Sequence, residues 1–329
     1  MEINRFNRLA RILSVQATSY NQFRTFAYII RQLKNMECDG VTFYVADGNI
    51  YATKGNADTY ACVVSHMDTV HAISSDLTVV RIGDNLTGFN KHTMKQTGIG
   101  GDDKVGIFVC LEVLRNFDDI KVAFFRDEEV GCVGSYDADM GFFNDCRYVL
   151  QCDRRGNSDF ITEASGVSLS SKKFQRDIAQ IIAAYGYSTT SGMMTDVMAL
   201  KENGLRCSCA NISCGYYSPH TSYEYVSVSD VDNCLEMVMD IISTLSSKVY
   251  KHTFERSYSR FDTYTYRPHK KSSRTHGSAP DDFDFDWDIN NRAKFDNCYE
   301  CGMYEERTKL VYGLCSFCVK KYNYEGFNI

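Results

Sequence analysis

The sequence predicts an α/β fold of three αβα layers, with helices on both sides of a mixed, mostly parallel sheet, followed by a small C-terminal module. Three observations predict it. Apolar runs of strand length alternate with stretches of helical spacing from about residue 41 to residue 245, the pattern of a sheet sandwiched by helices. Residues suited to chemistry sit where strands end or in a Gly-rich turn, the functional edge of such a sheet. The 329-residue length holds one large domain plus a small module.

Two amphipathic helices open the chain. Ile3, Phe6, Leu9, Ala10 and Leu13 recur at helical spacing, and Phe23, Phe26, Ala27, Ile30 and Leu33 repeat the pattern. Residues 41–45 and 49–53 flank Asp47-Gly48, a hairpin signal. Strands follow at 60–65, 121–125, 148–152 and 207–213, and helices at 104–117, 172–185, 196–202 and 230–245. From these boundaries a catalytic domain is expected over 1–248. Residues 249–296 lose periodicity, with a basic patch (Arg267, His269, Lys270, Lys271, Arg274) before an acidic one (Asp281, Asp282, Asp284, Asp286, Asp288), and read as a linker. Residues 297–329 form the module.

A hydrophobic fraction of 44% can fill a globular core, and no apolar run reaches the roughly 18 residues needed to span a membrane. The first residues lack a basic segment leading into an apolar one, so no secretory signal is expected. Fourteen cysteines then require a reducing compartment, and a cytoplasmic location is expected. A net charge of -6 argues against nucleic acid as a partner.

The most informative segment is Phe125-Arg126-Asp127-Glu128-Glu129, which follows an apolar strand. Hydrolysing an amide needs an activated water, a polarised carbonyl and a proton donor for the leaving amine. Two metals roughly 3.5–4 Å apart and bridged by a carboxylate supply the first two, and an unligated carboxylate supplies the third. Strand 61–65 delivers His66 and then Asp68, which on an extended segment can support the imidazole. Gly98-Ile99-Gly100-Gly101-Asp102-Asp103-Lys104 is a Gly-rich turn opening a helix. Cys152-Asp153 ends another strand, and Tyr216-Tyr217-Ser218-Pro219-His220-Thr221 brings a second histidine.

In order and wording these motifs resemble the di-zinc exopeptidase family of peptidase T, glutamate carboxypeptidase and the aminoacylase-like deacylases. His-Met-Asp-Thr-Val, Gly-Gly-Asp-Asp-Lys-Val-Gly, Asp-Glu-Glu-Val-Gly and Gly-Tyr-Tyr-Ser-Pro-His-Thr carry the resemblance over roughly residues 1–247. It implies a zinc-exopeptidase-type fold in which His66 and Asp153 hold one zinc, Glu129 and His220 the other, and Asp102 bridges them; cobalt or manganese suits the same ligands. It also implies that Glu128 is the general base, that Asp68 orients His66, and that a cis peptide joins Asp102 to Asp103. An aspartate at position 153 resembles the aminopeptidase and tripeptidase branch. Ser191-Gly192-Met193-Met194-Thr195-Asp196 resembles a substrate loop, which makes Asp196 a candidate contact. Arg154 and Arg155 can recognise a substrate carboxylate, an ordinary ion pair being the equal alternative, and Tyr216 and Tyr217 can line the pocket, burial under the last strand explaining them equally well. His71 and His92 lack such company and read as surface or unremarkable polar residues.

Many members insert a lid or dimerisation domain before the final histidine. Here Asp153 and His220 are 67 positions apart, already filled by core elements, so no lid is expected. Nor do the 36 positions from His66 to Asp102 leave space for the insertion of the tetrahedral aminopeptidases.

In the module, Cys298 and Cys301, then Cys315 and Cys318, form two C-x2-C pairs separated by thirteen residues, the spacing of a closed tetrahedral zinc site. The module resembles a zinc ribbon, expected to hold one structural zinc and to offer a surface for a protein partner. The leading expectation is an exopeptidase acting on short peptides. An N-acyl-amino-acid deacylase is the nearest alternative, and an adaptor recruiting a partner through the ribbon is an alternative of another class.

Overall fold

The computed structural model describes residues 1–74, 76–254, 295–297, 304–306, 315–316 and 319–320. Its helices are α1 (Ile3–Leu13), α2 (Phe23–Asn35), α3 (Gly101–Asn116), α4 (Val133–Tyr136), α5 (Lys172–Ala184), α6 (Asp196–Glu202) and α7 (Val228–Leu245). Strands β1 (Val41–Ala46), β2 (Asn49–Lys54), β3 (Tyr60–His66), β4 (Leu77–Ile82), β5 (Asn85–Asn90), β6 (Lys95–Thr97) and β7 (Ile120–Phe125) occupy the first half. The second half adds β8 (Cys146–Arg154), β9 (Asp159–Ala164), β10 (Val167–Ser168), β11 (Ser188–Gly192), β12 (Ser208–Ser213), β13 (Tyr216–Tyr217) and β14 (Tyr225–Ser227).

The main sheet has nine strands in the order β1-β2-β7-β3-β8-β12-β9-β10, with β11 beside β9. Its centre is parallel: β7 pairs β3, β3 pairs β8, and β8 pairs β12 in one direction. The hairpin β1-β2 and the strands β9 and β10 add antiparallel edges. Strands β3 and β7 are buried along their whole length, as helices on both faces require.

The period of two along these strands divides the core in two. Ala61 and Val63 of β3, with Ile120, Val122 and Phe124 of β7, face the layer of α1, α2, α3, α5 and α7. Cys62 and Val64, with Ala123 and Phe125, face the opposite layer, where Phe142, Phe143, Val197 and Leu200 pack. Helix α3 is apolar nearly all round because it lies in the middle of its layer. Its buried Glu112 is matched by Arg8, which donates from two guanidinium nitrogens at 2.6 and 2.7 Å, and by Arg115 at 3.2 Å.

A second sheet, in the order β13-β14-β5-β4 with β6 on β5, differs from the sequence expectation. The interval between His66 and Asp102 is filled by a three-stranded meander that also pairs with β14, just after His220. The expected boundary at residue 248 also moves. Tyr250 is buried against Tyr148 and Phe174, its N–H donates to the carbonyl of Arg147 at 3.0 Å, and His252 N–H donates to the carbonyl of Arg206 at 2.9 Å. The body therefore runs to at least His252.

None of the described helices is long and apolar enough to cross a membrane. The ten cysteines within residues 1–254 carry no disulfide, and all but Cys38 are buried. Most of the expected linker, and Cys298, Cys301 and Cys318, lie outside the described residues, whereas Cys315 is described and buried.

Candidate metal centre

Because β7, β3 and β8 are parallel neighbours, their carboxyl ends share one edge, where a crossover sheet places its site. His66 is the last residue of β3, paired in register with Phe125, so the loop after β7 brings Glu128 and Glu129 beside it. Asp153 stands near the end of β8, and α3 starts at the same edge with Asp102 in its first turn. The turn after β13 completes the cluster with His220. Backbone strain gathers here too: Asp127 (φ 52°), Ser218 (φ 51°) and His220 (φ 61°) all take left-handed conformations, which non-glycine residues adopt mainly where surroundings enforce them.

Two ligand groups result. His66, Asp102 and Asp153 form one, and Asp102, Glu129 and His220 the other, each with donor atoms within 4.8 Å of one another. Asp102 divides its carboxylate between them. Its Oδ1 lies 3.2 Å from His66 Nε2 and its Oδ2 lies 3.3 Å from His220 Nε2. His66 Nε2 is 3.6 Å from Asp153 Oδ1, and His220 Nε2 is 3.1 Å from Glu129 Oε2. Glu128 approaches from the side, with Oε2 3.9 Å from His66 Nε2 and its side chain 15% exposed. The Asp102-Asp103 peptide is cis, as the motif resemblance implies.

The electrostatics fit a site built for cations. Burial, reinforced by Asp153, Asp196 and Asp102, pushes the Glu128 carboxyl up to about 9, although His66 opposes this. Burial also raises Asp153 to about 8 and Glu129 to about 7, with Asp102 adding to both. Burial opposes the ionisation of Asp102 as well, yet hydrogen bonds from His220 and His66 hold it below the usual carboxylate range. The Asp102 hydrogen bond in turn raises His220 to about 9. Glu129 Oε1 is buried with no hydrogen-bond partner among the described residues. Imidazole nitrogens and carboxylate oxygens in two groups, one bridging carboxylate and an orphaned oxygen fit two borderline-to-hard divalent cations.

A supporting shell fixes these groups. Asp68 is fully buried, with Oδ1 3.3 Å from His66 Nδ1 and accepting the Glu128 N–H at 2.9 Å, while Oδ2 accepts from Glu129 N–H at 3.3 Å and Ser19 Oγ at 2.7 Å. Gln151 Nε2 donates to Asp153 Oδ2 at 3.1 Å and to Asp196 Oδ2 at 3.0 Å. Asp196 is thus fully buried beneath Asp153, and the pocket does not reach it. Tyr216 donates its hydroxyl to Asp153 Oδ1 at 3.3 Å. Tyr217 turns away: its hydroxyl donates to Asp230 at 2.6 Å and its ring stacks on Tyr225 at 5.0 Å. Arg154 lines the pocket but pairs with Asp159 at 3.0 Å.

Sequence reasoning missed Glu224. Its fully buried carboxylate accepts the N–H groups of Ile99 at 3.0 Å, Gly100 at 2.6 Å and Asp102 at 3.2 Å, so it moulds the turn that presents the bridging aspartate. His71, read as a surface or unremarkable polar residue, is partly buried and pairs with Glu224 at 2.6 Å. Gly98 is required there, because a Cβ would come within 2.0 Å of the His71 ring. Gly100, at φ 65°, also takes a left-handed conformation that favours glycine. No local signal marks Glu224, since its partners, three backbone groups and the His71 ring, lie more than a hundred residues earlier.

The profile of peptidase family M28 matches residues 49–271. No curated protein matches the chain at significant similarity. Among solved structures, the chain is similar to aminopeptidase PepT from Bacillus cereus ATCC 10987, at TM-score 0.58 and 14% identity, covering 73% of this chain and 98% of that one. A tripeptidase from Staphylococcus aureus subsp. aureus mu50 gives TM-score 0.57 and 12% identity, covering 72% and 96%. The TET1 peptidase of Pyrococcus horikoshii gives TM-score 0.54 and 14% identity, covering 72% and 99%. At such identities these likenesses speak for the fold.

Proposed function

The chain belongs to peptidase family M28, and from that premise we propose that it is a two-metal exopeptidase that removes the N-terminal residue from short peptides. It is a metallopeptidase by family. The aminopeptidase and tripeptidase activities named for its structural neighbours support the finer reading. The single observation that carries it is the division of the Asp102 carboxylate between two ligand groups, with Glu128 beside them.

In this reading His66 and Asp153 would hold one zinc, Glu129 and His220 the other, and Asp102 would give one oxygen to each. Two such cations polarise the scissile carbonyl and lower the pKa of water. The chain's own residues do the rest. Glu128, desolvated and unligated, takes a proton from the attacking water at a carboxylate oxygen and passes it to the leaving amine nitrogen. Asp68 holds His66 in one tautomer, with Nδ1 3.1 Å from the Asp68 carbonyl oxygen and 3.3 Å from its carboxylate, and Nε2 toward the ligand cluster. Gln151 fixes Asp153 in the same manner. The C-x2-C pairs Cys298/Cys301 and Cys315/Cys318 would hold a third, structural zinc, and the module they form would present a surface to a protein partner.

The test is a substrate screen with zinc-loaded protein, comparing dipeptides and tripeptides with their N-acetylated forms and with N-acyl amino acids. Release of a free N-terminal residue from unblocked peptides is expected. Turnover confined to N-acyl amino acids would reassign the chain as a deacylase.

A further inference from the structure

We propose that Arg155 recognises a carboxylate, so that the substrates preferred by this site are short peptides presenting a negative charge close to the scissile bond. The inference rests on the exopeptidase reading and names the substrate class that reading leaves open.

An open pocket of about 260 Å³ adjoins the candidate metal centre, and Asp153, His220, Arg154, Arg155, Met193 and Met194 are among the residues that line it. It is smaller than the pockets that enclose drug-sized ligands, which suits one or two residues of a peptide. The two arginines differ in what they have left to give. Arg154 spends its guanidinium on Asp159, donating from Nε at 3.0 Å and standing 3.0 Å away at Nη2. Arg155 is exposed, and its guanidinium makes no hydrogen bond or ion pair with any described residue, although the cluster beside it is crowded with acids.

Its backbone is nevertheless held firmly. The Arg155 carbonyl accepts from Ser213 Oγ at 2.8 Å, the Arg154 carbonyl accepts from Cys214 N–H at 2.9 Å, and Gly156 N–H donates to the Tyr216 carbonyl at 2.9 Å. A planar five-donor group on a fixed mount, carried by a residue that lines the cavity together with Met193 and Met194, suits a planar two-oxygen acceptor. A peptide supplies that acceptor in two ways, through its C-terminal carboxylate or through an acidic side chain.

The experiment compares two matched pairs in the zinc-loaded enzyme. Leu-Ala against Leu-Ala amide reads the terminal carboxylate, and Leu-Glu amide against Leu-Gln amide reads the side chain. In one pair or the other, wild type should prefer the charged member in kcat/KM by about tenfold or more, the scale of one charge-assisted hydrogen-bond pair. The preference should lie in KM, and Arg155→Ala should bring the ratio close to one. No preference in either pair, or a preference that survives Arg155→Ala, overturns the inference while leaving the exopeptidase reading intact. If wild type hydrolyses none of the four, the exopeptidase reading fails. Calorimetric binding of the same pairs to Glu128→Gln protein, with and without Arg155→Ala, then decides the arginine's role by the same ratio.

Discussion

Asp68 accepts the backbone N–H of Glu128 at 2.9 Å with the same oxygen that lies 3.3 Å from His66 Nδ1. One buried residue therefore sets both the imidazole of a proposed metal ligand and the start of the loop carrying the proposed proton-transfer residue. Burial opposes its ionisation, but His66 and Ser19, together with the Glu128 N–H, hold Asp68 below its usual range. It stays ionised at neutral pH. Asp68→Ala should lower zinc affinity or turnover by about 10–100-fold, the cost of losing such an outer-shell partner. Chelator competition and kcat measure the two effects, and a variant unchanged in both would separate Asp68 from the site.

Glu224 offers a test of stability as well as of metal binding. Glu224→Ala strands the N–H groups of Ile99, Gly100 and Asp102, at about 1–3 kcal/mol for each buried donor left unpaired. Thermal unfolding should fall by about 6–12 °C for a loss of about 3 kcal/mol in a body of this size. Zinc at the centre should also bind less tightly, because the turn presenting Asp102 loosens. Unaltered melting would show that water replaces the carboxylate.

His252 should report on pH. Burial, with the nearby Lys201 ammonium, lowers its pKa to about 4. The folded state thus binds this proton less tightly than the unfolded chain, whose histidine titrates near 6.5. The stability belonging to the neutral ring is complete above pH 6.5 and is lost as pH falls toward 4. Between pH 7.5 and 5, the urea midpoint of wild type should drop further than that of His252→Gln. Equal drops would mean that the ring does not set the acid limb.

Loss of Asp102 should act on both ligand groups at once. In Asp102→Asn, one oxygen of the bridge becomes an amide, so zinc per chain should fall by about two relative to wild type while any cysteine-bound zinc stays. Elemental analysis after gel filtration checks this. Loss of a single equivalent would contradict a shared bridge.

The candidate site residues were legible because sheet topology, not distant packing, positions them. His66, Glu128, Glu129 and Asp153 each follow an apolar strand, and parallel strands bring their ends together. Ser19 and Glu224 were not legible because their partners are distant in sequence, and Gln151, which holds both the nearby Asp153 and the distant Asp196, has nothing local that distinguishes it from an ordinary polar residue. The meander β4-β5-β6 leaves little trace in the sequence, since its first strand has four partly buried and two exposed residues and lacks a clean apolar alternation. Strand β11, Ser-Thr-Thr-Ser-Gly, is mostly exposed at the sheet edge and carries no hydrophobic signal at all. The C-terminal reach of the body past residue 248 rests on Tyr250, whose burial against Phe174 depends on the tertiary fold.

The central claim is that Glu128 moves the proton while its neighbour Glu129 gives its charge to a cation. The most direct test measures zinc content and peptide turnover together in Glu128→Gln. A full complement of zinc with turnover reduced at least about a hundredfold, the lower range for general acid-base catalysis, is the predicted result. Undiminished hydrolysis, or loss of zinc equal to that of a ligand variant, would contradict it.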